Sequence, residues 1–188
     1  MKTCKTLAVL AAACLTASAH ADDTLPAGIL ITGQVSGAST QLYGLDFLSG
    51  DDTASNITRL SATEIEFISA DGALQVDFFT DGRIQVWNNT GDLALPGRYT
   101  LSFSFAGLTQ PLAALAPVDV TALSSGSYSF VLTGPDTVSL TLDNLSFTSQ
   151  WGILTAQVTA AAVPEPASLA LFGAGLGLLA LRRTRRSA

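Results

Sequence analysis

Arg98-Tyr99-Thr100-Leu101-Ser102-Phe103-Ser104-Phe105 alternates without a break. Tyr99, Leu101, Phe103 and Phe105 fall on one side of an extended chain. Arg98, Thr100, Ser102 and Ser104 fall on the other. Side chains of a β-strand change face at every residue, so this is a half-buried strand. Gly126 to Thr133 repeats the pattern, with Tyr128, Phe130 and Leu132 inward. Gly134-Pro135-Asp136 is a turn signal, and Val138, Leu140 and Leu142 alternate again after it, which makes a hairpin. Further strands are expected in 28–35, 41–47, 145–149 and 153–159. Leu112–Ala116 is alanine-rich, but Pro111 and Pro117 leave it too short to matter as a helix. Many short strands with Gly and Pro turns predict an all-β fold, an antiparallel β-sandwich or barrel-like domain.

A short repeat sets the register nearby. Asp71-Gly72-Ala73-Leu74-Gln75-Val76 recurs ten residues on as Asp81-Gly82-Arg83-Ile84-Gln85-Val86. Ile65 and Phe67 should meet Leu74, Val76 and Phe78 on the core face. Joining odd to even positions needs an even loop, so Asp71-Gly72 is expected as a two-residue type I′ turn. Matching Val76 and Phe78 to Ile84 and Val86 needs an odd loop. The second turn should therefore have three residues, with Gly82 in the left-handed conformation. This register puts Trp87 on the opposite face with Gln75, Asp77, Arg83 and Gln85. The plainer reading has that face covered by the second sheet or a loop, making Trp87 ordinary core. If the face is open, Trp87 is a sugar-stacking platform. Trp151 poses the same choice.

Charge and missing residue types narrow the function. Residues 22–162 carry three Arg (Arg59, Arg83, Arg98) against twelve Asp and two Glu, a net charge of −11 where the whole chain has −6. Such a domain repels nucleic acid and anionic lipid headgroups. Cys4, Cys14 and His20 all lie in the first 21 residues. The remainder up to residue 162 has no Cys, His or Lys. That rules out a disulfide, a Ser-His-Asp or Cys-His system, a Schiff-base or Ser-Lys nucleophile and an ordinary zinc site. Two carboxylates alone can still hydrolyse a glycoside, but none of the acids sits in a recognisable signature. The expectation is no enzyme, no cofactor and no metal. Asp46, Asp51 and Asp52 cluster in a loop that could offer oxygen ligands to calcium. Their spacing fits neither an EF-hand nor a calcium β-helix, and Asp is a common turn former. Asn56-Ile57-Thr58, Asn88-Asn89-Thr90 and Asn144-Leu145-Ser146 fit the N-glycosylation pattern, as chance allows in a chain with 32 Ser and Thr between 22 and 162.

The two ends carry addresses. Lys2 and Lys5 precede an apolar run, Leu7 to Leu15, and Ala19-His20-Ala21 is a small-x-small cleavage site. Residues 1–21 read as a secretory signal peptide. At the other end, Val163-Pro164-Glu165-Pro166 leads into the uncharged run Ala167 to Leu181, which stops at Arg182-Arg183-Thr184-Arg185-Arg186. These residues resemble the PEP-CTERM sorting signal: a Pro-Glu-Pro box, a short membrane helix and a basic cluster. The resemblance covers residues 163–188 only. It implies export in a Gram-negative setting and processing by an exosortase-type membrane enzyme. Such tails are sometimes labelled an ice-binding C-terminus, and a sorting tail is no evidence of ice binding. Leu142-Asp143-Asn144-Leu145 also resembles a strand near the end of galactose-binding-like sandwiches.

A helix over 167–181 would span roughly 22 Å, short of a ~30 Å hydrocarbon core. The positive-inside rule keeps Arg182, Arg183, Arg185 and Arg186 cytoplasmic as a stop-transfer cluster. The domain then lies on the periplasmic side of an inner-membrane precursor, and later at the cell surface or secreted. Pro164 and Pro166 hold Glu165 in an extended segment that a processing enzyme can bind. Gly173 and Gly177 form a GxxxG pair. The organisation expected is therefore signal peptide 1–21, exported β-rich domain 22–162 and sorting tail 163–188. The function expected is a non-catalytic surface or matrix protein associated with extracellular polysaccharide. A carbohydrate-binding module using Trp87 and, more remotely, a carboxylate-only glycoside hydrolase are the alternatives.

Overall fold

The computed structural model describes residues 24–45, 55–162 and Gly175. Eleven strands lie among them: β1 (Leu30–Gly37), β2 (Leu42–Gly44), β3 (Ile57–Arg59), β4 (Phe67–Ser69), β5 (Leu74–Phe78), β6 (Arg83–Asn88), β7 (Ala94–Ala106), β8 (Leu112–Asp119), β9 (Leu123–Gly134), β10 (Thr137–Phe147) and β11 (Ile153–Ala160). They belong to one compact unit, Asp22–Ala161. Sheet A runs in the order β3-β1-β7-β10-β9 and sheet B in the order β2-β4-β5-β6-β11-β8. Every pairing is antiparallel. Two separate sheets make this a sandwich rather than a barrel.

The alternation of 98–105 runs along β7, in the middle of sheet A. Tyr99, Leu101, Phe103 and Phe105 are buried, and they meet β10 in the pairs Leu142–Tyr99, Leu140–Leu101 and Val138–Phe103. From sheet B come Phe67, Leu74, Val76, Phe78, Ile84, Val86, Leu154 and Val158. The sheets meet through rings. Phe103 lies 5.3 Å from Phe67 and 4.9 Å from Phe78, and Phe78 lies 5.5 Å from Phe105. The last two pairs are edge-on, the arrangement that sets a positive ring edge on a negative face. A side-chain hydrogen bond also joins the sheets. The Tyr99 hydroxyl donates to Asp71 Oδ2 at 2.8 Å, reaching from β7 to the β4–β5 turn.

Both turns of the repeat are in place, one as expected and one altered. The β5–β6 register pairs Val76 with Val86 and Phe78 with Ile84. Phe79 N donates to Arg83 O, Gly82 N donates to Phe79 O, and Gly82 has φ +89°. Thr80, Asp81 and Gly82 thus form the expected three-residue turn with a left-handed glycine. At β4–β5 the odd-to-even parity holds, since Phe67 pairs with Val76. The type I′ turn does not form. Gly72 N donates to Ser69 O, which centres the bend on Ala70 and Asp71, and only Gly72 has positive φ. Asp71 overrides the tighter turn: its Oδ1 accepts from Ser69 Oγ and from Ala73 N. Ile65 also departs from expectation, since it precedes β4 and is only half-buried.

Three more differences have local causes. Leu112–Ala116 is a strand, the start of β8, because its backbone pairs with β11. The segment 145–149 is largely the end of β10, which passes a bulge at Asn144, with φ +47°, and continues to Phe147. β3 escapes the alternation because it has only three residues. The expected signal peptide 1–21, the expected tail helix 167–181 apart from Gly175, and Asp46, Asp51 and Asp52 lie outside the described residues.

Gly82 tests this account. A Cβ there would run into the Val158 carbonyl oxygen, whereas one at Gly72, with φ +70°, meets nothing within 4 Å. Gly72→Ala should cost only the left-handed penalty, about 1–2 kcal/mol. Gly82→Ala should cost clearly more, read as a larger fall in the urea midpoint of unfolding.

Candidate functional site

The inner parity of sheet B decides its outer face. With Phe67, Val76, Val86 and Leu154 turned inward, their neighbours must point out. Register then lines up Tyr43, Ile68, Gln75, Trp87 and Ile153 on five adjacent strands. All five are half-buried. At about 4.8 Å per strand the row is roughly 19 Å long. Trp87 thus stands on the outer face with Gln75, Asp77, Arg83 and Gln85, and the second sheet does not cover it. Its indole nitrogen is buried without a hydrogen-bond partner. Its backbone lies in the ladder between β5 and β11. What Trp87 offers to solvent is therefore carbon.

A polar row runs beside the first. Asp77 pairs with Gln85 and Gln85 with Thr155. One step past the β4–β5 ladder, Glu66 stands opposite Asp77. Glu66 is 1% exposed. Its Oε1 accepts from Ser61 N and its Oε2 from Phe78 N, both at 2.8 Å. The side chain thereby ties the segment before β4 to the end of β5. Burial pushes the Glu66 carboxyl up to about 8, overcoming the two backbone donors, and the neighbouring Asp77 raises it further. Burial raises Asp77 as well. At neutral pH burial therefore holds the Glu66 carboxyl in its protonated form beside Asp77. This pair was not legible as a site. Alternation places Glu66 outward, but its closure depends on the path of residues 60–65.

The pair lacks the access of a glycosidase. Those enzymes reach their carboxyls through a substrate cleft, whereas Glu66 is 1% exposed and closed by backbone donors on both oxygens. Among the described residues no group of three or more His, Cys, Asp or Glu is placed to hold a metal ion. An open pocket of about 330 Å³ lies beside Phe105, Leu108, Pro111 and Asp136, where Asp136 is the only ionisable lining group. Arg83 is held by Asp81 at 2.8 Å and lies 4.2 Å over the Phe79 ring. Trp151 is 52% exposed, with φ +59°, in the turn before β11. Asn88 is fully buried, its amide donating to Asp92 O, so it is closed to glycosylation.

The sorting residues Pro164, Glu165 and Pro166, and Arg182, Arg183, Arg185 and Arg186, lie outside the described residues. Comparison of the sequence with protein families covers the segment that contains them. Residues 162–186 match the PEP-CTERM protein-sorting motif. PEP-CTERM tails are non-catalytic signals that mark a protein for extracellular or cell-surface sorting, and they imply an exosortase-type processing enzyme. The PEP-CTERM match begins where the sandwich ends. No curated protein and no solved structure matches the chain. Among the described residues no helix is long and apolar enough to cross a membrane.

The acid pair makes stability depend on pH. The Glu66 carboxyl prefers its proton in the folded state, with a folded value near 8 against 4.5 in the unfolded chain. The folded state then binds more protons than the unfolded one between these values, so stability falls as pH rises through that window. The melting temperature should drop from pH 5 to pH 9. In Asp77→Asn the drop should shrink, because only one carboxylate remains to be buried. A flat profile in the parent protein would contradict the assignment.

Proposed function

We propose that this chain is a non-catalytic protein, delivered outside the cell by its tail, whose sandwich binds extracellular polysaccharide on the outer face of sheet B. The observation that carries the binding reading is the row Tyr43–Ile68–Gln75–Trp87–Ile153. It combines two aromatic side chains with an amide, and a second row of acid and amide groups flanks it. Sugar rings present C–H faces that stack on aromatic carbon and hydroxyls that bond to amides and carboxylates. The length of the row suits an extended chain of sugars rather than one ring. The net charge of −11 repels polyanions, so a neutral polysaccharide is the preferred ligand.

The delivery reading rests on the sorting match. The chain enters the export route by its signal peptide and pauses as an inner-membrane precursor, domain outward, held by Arg182, Arg183, Arg185 and Arg186. The exosortase-type enzyme then binds the Pro164-Glu165-Pro166 box and releases the domain to the surface or the matrix. Glu165, the only acid in the tail, pairs with a basic group of that enzyme.

Two experiments separate the halves of this proposal. A neutral polysaccharide should quench tryptophan fluorescence saturably. Trp87→Ala should weaken binding at least tenfold with little change in melting temperature, while Trp151→Ala leaves it intact. No binding by the parent protein to any neutral polysaccharide in a broad panel would overturn the ligand reading and leave delivery untouched. For delivery, Glu165→Ala should accumulate a full-length membrane-bound precursor, seen by intact mass in membrane and secreted fractions. Unchanged release from Glu165→Ala would refute the role given to the box.

A further inference from the structure

Among the described residues the two sheets end in four edge strands: β3 and β9 in sheet A, β2 and β8 in sheet B. An edge strand exposes unpaired backbone N–H and C=O groups and invites another strand, so proteins shorten or charge their edges, or place proline in them. Three of the four are blunted in these ways. β2 and β3 have three residues each, and β3 ends in Arg59. β8 contains Pro117 and ends in Asp119. β9 is different. It has 12 residues, Leu123–Gly134, with no charged residue and no proline. In a unit with net charge −11 it is a long neutral seam.

The side chains of β9 match its backbone. Ser127, Ser129, Val131 and Thr133 are exposed on its outer side, Val131 at 49%. Tyr128, Phe130 and Leu132 face the core side yet stay half-exposed. The Tyr128 and Phe130 rings lie 5.4 Å apart and pack on the edge of the core. A neutral strand with small hydroxyl side chains on one face and large apolar ones on the other is best completed by a strand of the same pattern. β9 itself is that strand. Antiparallel pairing of two β9 strands, centred on residue 129 or 130, keeps like faces together. Tyr128, Phe130 and Leu132 of each copy then cover those of its twin. Gly126, with φ +102°, and the bulge opposite it at Asn144 end the regular stretch, which leaves Ser127–Thr133 for pairing.

We infer that β9 is a homotypic assembly edge, through which two copies of this chain join antiparallel and extend sheet A across both. This does not depend on the polysaccharide reading, since the Trp87 row lies on sheet B.

Thiol cross-linking in the full chain tests it. With Cys4 and Cys14 changed to Ser, a single cysteine is introduced either at Ser129 on β9 or at Ile57 on β3, which is 45% exposed. A short bis-maleimide added to exporting cells should link Ser129→Cys copies at least tenfold more than Ile57→Cys copies. Adding Val131→Lys should abolish the Ser129 product, because a charged side chain on an edge strand opposes the docking of another strand. The exposed position of Val131 should leave the melting temperature unchanged. Equal cross-linking at both sites, as association through the tail's GxxxG pair would give, would overturn the inference. So would a Ser129 product that survives Val131→Lys, or one that contains only a different protein.

Discussion

The ring contacts between Phe103 and Phe105 of sheet A and Phe67 and Phe78 of sheet B bear most of the architecture. No covalent staple supports them, because both cysteines fall in the first 21 residues. Aromatic pairs add roughly 0.5–1.5 kcal/mol each beyond the area they bury. Their larger role is to set parity. Phe67 inward forces Glu66 and Ile68 outward, and Phe78 inward does the same for Asp77. A slip of one residue in β4 or β5 would put a phenylalanine in water and a carboxylate in the core. The outer face is thus a consequence of the inner one, and the Trp87 row exists because the rings must meet.

This dependence explains what could be read without coordinates. Strand identity and face were legible wherever apolar and polar residues alternate for five positions or more, as in β5, β6, β7 and β10. The three-residue turn at Gly82 followed from parity alone. Parity also gave the even length of the Asp71 connection, but its shape was lost to a side chain: Asp71 bonds to Ser69, Ala73 and Tyr99, and the last of these partners is 28 residues away. β8 was missed because alanine and proline carry no alternation, and only pairing with β11 defines it. Trp87 was placed on the correct face, yet its neighbours Tyr43 and Ile153 came from strands whose register no local pattern encodes. Glu66 was hidden for the same reason. Its burial depends on Ser61 and Phe78, which the chain brings together only after folding.

The surfaces divide by sheet. Sheet B has its partly apolar row on a face, while sheet A has its neutral seam at an edge. A ligand on the first would not compete with a second copy on the second. Assembly through β9 would place two Trp87 rows in one particle, and two weak sites on one long polymer bind far more tightly than either alone. Serine and threonine suit the open parts of such a protein. They cover the strands without charge, and the carboxylates keep the molecule soluble.

The placement of the arginines has a consequence for survival outside the cell. Between residues 22 and 162 the chain has no lysine and only Arg59, Arg83 and Arg98. Each lies within a strand: β3, β6 and β7 respectively. Proteases need an extended, unpaired segment and cut most readily at loop tips. A trypsin-like enzyme therefore finds every basic residue of the folded sandwich inside a hydrogen-bonded ladder and none in a loop. Digestion by such enzymes would have to wait for unfolding, so the lifetime of the protein among them would be set by the stability of its core.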